Sequence, residues 1–121
     1  MTLLPDNEAQ RIEALLQYKI LDTPAEATFD DLTQLASYIC STPVALINLV
    51  DRDRLWIKSN TGLGSLQEVP RDIAFCAYTI LQSDVLMIRN TATDDRFATN
   101  PLVTSDPKFR FYTGVPLQNP E

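Results

Sequence analysis

At 121 residues with 45% hydrophobic side chains, the chain has the size and apolar content of a single globular domain built on one core. Its 10 Lys+Arg against 16 Asp+Glu give a net charge of −6 with no long basic run, so the electrostatic footprint of a nucleic-acid binder is missing. There is no histidine, which removes the commonest general base, zinc ligand and nucleophile partner; carboxylate or lysine chemistry stays open, but the composition argues against an enzyme.

After Pro5-Asp6-Asn7, the residues Ile12, Leu15, Leu16 and Ile20 recur at helical spacing, with Asn7 placed to cap and Gln10 three residues on. A first helix is expected over about 7 to 19. Pro24 disfavours helical backbone in the residue before it, so Leu21-Asp22-Thr23-Pro24 reads as an interruption. A second helix is expected from near Thr28, with Asp31 completing an approximate capping box. Its stripe of Phe29, Leu32, Leu35, Ala36, Ile39 and Cys40 is expected to face a sheet.

Pro43 ends that helix, and Val44 to Val50 is apolar on both faces apart from Asn48, as a central strand covered on two sides would be. Asp51-Arg-Asp-Arg54 reads as a turn and Leu55-Trp-Ile-Lys-Ser59 as the second strand of an antiparallel hairpin. Residues 60–70 read as a loop. Asp72 can cap a helix at about 73 to 82 with Ile73, Cys76, Ala77 and Ile80 on one face. Val85 to Arg89 is a short strand, and Asn90 to Asp106 a long connection with one helical turn at Asp94-Asp-Arg-Phe97. Phe109 to Leu117 returns to strand character, where Gly114 permits close backbone approach and Pro116 implies an edge, a bulge or a strand end. The sum is an antiparallel sheet packed by helices, ending on a strand that either lies centrally or leaves an open edge.

No stretch reaches the roughly 18 to 20 apolar residues that span a bilayer, and the N-terminus lacks the basic-then-apolar plan of a secretion signal, so a cytoplasmic protein with no membrane partner is expected. Cys40 and Cys76 form no metal-spaced pair and read as reduced thiols on core stripes. Arg96, beside Asp94 and Asp95, could fork onto a ligand carboxylate or phosphate, or the three could pair among themselves on the surface. Asn48 must satisfy its amide inside a greasy strand, through a ligand or through the protein. Trp56, Tyr78, Phe111 and Tyr112 could line an aromatic pocket or pack as core, and because Phe111 and Tyr112 are neighbours in a strand at most one of them faces any given cavity.

The chain resembles a GAF domain of the bacterial, often cyanobacterial, kind at the front of multidomain signalling proteins such as the histidine kinases of two-component systems and the cyclases. The resemblance runs from about Asn7 to Leu117 and is carried by Ile20-Leu-Asp-Thr-Pro24, Phe29-Asp-Asp-Leu32, Val44 to Asp51, Ile57-Lys-Ser59, Ile73 to Ile80, Asp94-Asp-Arg-Phe97, Asn100-Pro-Leu-Val103 and Phe111 to Leu117 in that order. It implies an α/β (α+β) fold: one antiparallel sheet flanked by helices on both faces, with a small-molecule pocket over one of them. It also implies a C-terminal hairpin and closing helix beyond Leu117, which residues 118–121 are too short to supply. The function implied is a regulatory sensory domain that shifts a conformational or dimeric equilibrium when a small molecule, an output domain or a partner protein binds one state better. Candidate ligand contacts are Asn48, Trp56, Cys76, Asp95, Arg96, Phe111 and Tyr112. An interaction subunit of a larger assembly, joined through the open strand edge, is the alternative, and the first helix is a candidate homodimer surface. Some relatives attach a bilin cofactor through a pocket cysteine followed by histidine; here Ala77 and Tyr78 follow Cys76, which disfavours the pigment. Others reduce methionine sulfoxide with cysteine pairs, which the expected burial of Cys40 disfavours.

Overall fold

A computed structural model describes residues 4–104 and 109–117. The end of the expected connection at residues 105 and 106, the N-terminal residues 1–3 and the last four residues lie outside them. The chain divides into two compact units, Asp6–Arg71 and the part from Asp72 onward.

The first unit carries helix α1 (Glu8–Tyr18), helix α2 (Ala27–Cys40) and strands β1 (Ala45–Val50), β2 (Arg54–Thr61) and β3 (Glu68–Pro70) in an antiparallel sheet ordered β1-β2-β3. Both helices end on a residue in left-handed backbone, Lys19 and Ser41, which closes the last turn by hydrogen-bonding back to it. Neither starts on the expected side-chain cap. Asn7 makes no such bond, and Glu26, not Thr28, precedes the first turn of α2. The Glu26 carboxylate is drawn away to Lys58 at 2.6 Å.

The greasy stripe expected to bury α2 does not do so. Leu32, Leu35, Ile39 and Cys40 are exposed, and Thr33 is the residue of that helix buried against the sheet. The reason is a polar seam: Thr33 Oγ1 meets Ser59 Oγ at 3.0 Å, Ser59 donates to Asp30 at 2.6 Å, and Thr61 donates to Thr33 at 3.1 Å. Once these hydroxyls and the carboxylate satisfy one another they can be covered, and the helix turns its apolar side outward.

The strand read as central, Val44 to Val50, lies at the edge of the described sheet, half-buried along most of its length. Strand β2 takes the middle place and is buried on both faces from Leu55 to Ser59. The β1–β2 ladder pairs Asn48 with Ile57 but Ile47 with Ser59, so Lys58 has no opposite number. That bulge re-aims the lysine side chain. The loop expected over 60–70 contains strand β3 as well as Gly62, whose φ of +101° no residue with a Cβ adopts readily.

The second unit is made of short pieces. A turn of 3₁₀ helix (Arg71–Ile73) leads to helix α3 (Cys76–Thr79), in place of the longer helix expected from 73 to 82. Strand β4 (Leu86–Ile88) pairs antiparallel with β5 (Tyr112–Gly114), so the last strand does find a partner. Between them the long connection contains a 3₁₀ turn (Thr91–Thr93) and helix α4 (Pro101–Thr104), which sequence periodicity is too short to reveal. Asn100 caps α4 by accepting the Leu102 amide at 2.8 Å, with Pro101 at the first helical position. Among the described residues the architecture is α+β with antiparallel pairing throughout, three ladders in two sheets. No helix among the described residues is long and apolar enough to cross a membrane.

Candidate functional site

The core of the second unit is aromatic. Phe75, Leu86, Ile88, Phe97 and Val103 are buried, with Tyr78, Leu102, Phe109 and Tyr112 packed on them. Phe75 stands edge-on to Phe97, Phe109 and Tyr112 at 4.9, 6.2 and 5.3 Å, and Tyr78 to Phe97 at 4.9 Å. These are the geometries that ring quadrupoles favour. Loop residues fasten the shell: Asn100 donates to the Ile73 carbonyl at 2.9 Å, Thr91 Oγ1 to the Phe109 carbonyl at 2.6 Å, and Arg110 to the Val103 carbonyl at 2.7 Å.

Polar atoms converge at one place in this shell. The Tyr112 hydroxyl lies 2.7 Å from Thr79 Oγ1 and 3.2 Å from Cys76 Sγ. Cys76 and Thr79 sit three apart on α3, which puts both on the side facing β5. Gly114 makes the approach possible, since a Cβ there would fall 2.1 Å from the Tyr112 hydroxyl and 2.6 Å from Thr79 Oγ1. Burial pushes the Tyr112 phenol well above its ordinary range, Cys76 adds to the rise, and the Thr79 hydrogen bond offsets only part of it. The hydroxyl is therefore neutral at physiological pH and serves as a hydrogen-bonding group, not as a base.

Of the seven candidate contacts, Cys76 and Tyr112 are brought together. Arg96 lies over the Phe97 and Tyr78 rings at 5.3 and 5.9 Å, and its guanidinium forks onto Asp94 at 3.0 and 2.9 Å, while Asp95 is exposed beside it. That hydrogen-bonded pairing holds the Asp94 carboxyl below its usual value and raises Arg96. Phe111 is half exposed. Asn48 and Trp56 belong to the other unit, facing Ile57 and Leu49 across the β1–β2 ladder, with Trp56 buried. Thr79 was not singled out from sequence, although its spacing from Cys76 is a readable signal. No group of three or more His, Cys, Asp or Glu among the described residues could hold a metal ion.

The first unit holds three charged centres that sequence reading passed over. The Lys58 side chain is fully buried; its amine donates to Thr23 Oγ1 and to the Pro24 carbonyl, each at 2.7 Å, and pairs with Glu26. Arg71, also buried, donates to Glu8 at 2.6 and 3.2 Å and to the Asp51 carbonyl at 3.0 Å, while Arg11 joins Glu8 and the Val50 carbonyl. Arg54 serves three carboxylates, Asp22, Asp51 and Glu68. Beside it lies an open groove of about 400 Å³, between the C-terminal end of α1 and Asp51.

Comparison with known proteins places the chain. The family model described as GAF domain matches residues 24–121. The chain belongs to the GAF family. Over 117 residues this GAF domain is 35% identical to the protein named cyclic di-GMP phosphodiesterase PA2567 of Pseudomonas aeruginosa, a match covering 97% of this chain and 20% of that protein. The chain thus spans about a fifth of the length of that relative.

Proposed function

We propose that this GAF domain is the regulatory sensory part of a bacterial signalling protein and binds a small molecule beside Tyr112. The carrying observation is the meeting of Tyr112 Oη, Thr79 Oγ1 and Cys76 Sγ within an aromatic shell. Ligand sites are mostly apolar walls with a few convergent polar groups, which is the composition found here. Catalysis by the chain itself is not part of the proposal: the cluster holds a neutral phenol, a hydroxyl and a thiol, with no histidine to activate them. The regulated activity would be turnover of cyclic di-GMP, the reaction named for the Pseudomonas relative. Native mass spectrometry of the purified chain, followed by thermal-shift screening of the molecules found, tests the site. A ligand should raise the melting temperature of the wild type and not of Tyr112→Phe; equal stabilisation of both removes Tyr112 from the site.

A second reading, an interaction domain pairing with another copy of this chain, is favoured by the exposed Leu32, Leu35 and Ile39 of α2. Their spacing of three and four residues is that of a helix–helix seam. Sedimentation that gives a monomer at every concentration, unchanged by Leu35→Glu, would remove it.

A further inference from the structure

The connection between α1 and α2, residues 19–26, is gripped by strand β2 at two points of different kinds. Its second half is locked, because the buried Lys58 amine holds Thr23, Pro24 and Glu26 together. Its first half is tied by the Asp22–Arg54 ion pair and by the Thr23 hydroxyl, which donates to the Ile20 carbonyl. Arg54 forks onto Asp22 at 2.9 and 2.8 Å, and 67% of the Asp22 side chain is open to solvent. Packing adds little: Leu16, Gln17, Tyr18 and Lys19 are exposed and Ile20 and Leu21 only half-buried, whereas Ile12 and Leu15 earlier in α1 are buried. The backbone opposes it too. Lys19 and Asp22 have φ of 51° and 59°, left-handed values that side chains with a Cβ adopt at a cost.

An exposed ion pair contributes little net and weakens with salt, and the two left-handed residues draw on a comparable amount. Residues 16–22 are therefore held near balance, between two firmly held neighbours. On one side the first turn of α1 is fixed by Glu8, Arg11 and the buried Arg71; on the other stands Lys58. When Asp22 leaves, Arg54 keeps Asp51 and Glu68, so release strands no charge.

We propose that the Asp22–Arg54 fork is a latch whose release frees residues 16–22 from strand β2 while the start of α1 and the Thr23–Glu26 segment stay seated. The freed stretch carries Leu16, Lys19, Ile20, Leu21 and Asp22, which form most of the lining of the 400 Å³ groove, so opening the latch remodels that groove.

Hydrogen exchange followed by mass spectrometry on the whole chain tests the latch at about 0.05 M and about 1 M sodium chloride. Amides of residues 16–22 are expected to exchange about three-fold faster or more at the higher salt, with those of Ile12, Leu15 and residues 56–59 unchanged. Asp22→Asn keeps a side chain that tolerates left-handed backbone but removes the charge, so it should exchange fast at low salt and respond no further. Glu13→Gln, which removes an exposed carboxylate of α1 that takes no part in the fork, should behave as wild type. Equal exchange of residues 16–22 at both salt concentrations in the wild type, or a rise at Ile12 and Leu15 in step with them, overturns the latch.

Discussion

The Tyr112 hydroxyl joins strand β5 to helix α3 through one oxygen, so its removal reads out the whole cluster. Tyr112→Phe keeps the ring against Phe75 but leaves the buried Thr79 hydroxyl without that partner. A loss of about 1 kcal/mol in urea denaturation is expected, the usual net worth of such a bond. Gly114→Ala should cost more, because its methyl group would occupy the place of the hydroxyl and push the ring from its seat. The two thiols separate just as clearly. Cys40 stands exposed at the end of α2, while Cys76 is half-buried beside Tyr112. Under native conditions a disulfide reagent should therefore modify Cys40 about ten times faster than Cys76 or more, with the two equalised in denaturant. The expectation that both thiols lie on core stripes holds for neither in full, because accessibility follows the face a helix turns inward and periodicity alone does not choose that face.

At the level of elements, Gly62 governs the entry to the loop after β2. A Cβ there would stand 2.1 Å from the Pro43 carbonyl oxygen, and φ is already outside the range of other residues. Gly62→Ala should cost about 2 kcal/mol or more and loosen the β1–β2 register, which two-dimensional NMR of the strand amides would show. Much of this level was legible. Both long helices and the β1–β2 hairpin announce themselves by period and punctuation, since each has the length over which an apolar stripe can repeat, and strand β4 by the apolar run Val85 to Ile88. Helix α4 and strand β3, of four and three residues, are too short to show one. The inversion of α2 has a different cause: Thr33, Ser59, Thr61 and Asp30 satisfy one another only across a tertiary contact, and nothing local distinguishes them from surface hydroxyls. Lys58 escaped for the same reason. A lysine in a strand reads as solvent-facing until a bulge turns it into a pocket built of Thr23, Pro24 and Glu26. The candidate site was half legible, with Cys76 and Tyr112 visible by residue type and Thr79 only by its spacing of three from Cys76, a signal that gains meaning once Tyr112 is seen to reach both.

For the molecule as a whole, stability against pH should have two flanks that report on different units. Burial raises the Glu8 carboxyl, but hydrogen bonds from Arg71 and Arg11 outweigh it and hold the group at about 2, against 4.5 for a free glutamate. A depressed acid stabilises the fold above its unfolded value and loses that contribution as pH falls from about 4.5 through about 2. The amount at stake is on the order of 2 kcal/mol after discounting for the partial exposure of Glu8. Asp22 and Asp94, lowered by Arg54 and Arg96, act in the same direction but more weakly, being held by more exposed pairs. Tyr112 works at the other end. Its phenol is raised above the ordinary 10.0, so the unfolded chain ionises first and stability falls as pH rises past that value. Urea melts from about pH 2 to about pH 11 should thus show an acid limb that Glu8→Gln flattens and an alkaline limb that Tyr112→Phe flattens. Each variant should leave the slope of the other limb unchanged, because each limb is set by the proton that its own group gains or loses on unfolding; an alkaline limb that persists in full in Tyr112→Phe would remove that phenol as its source.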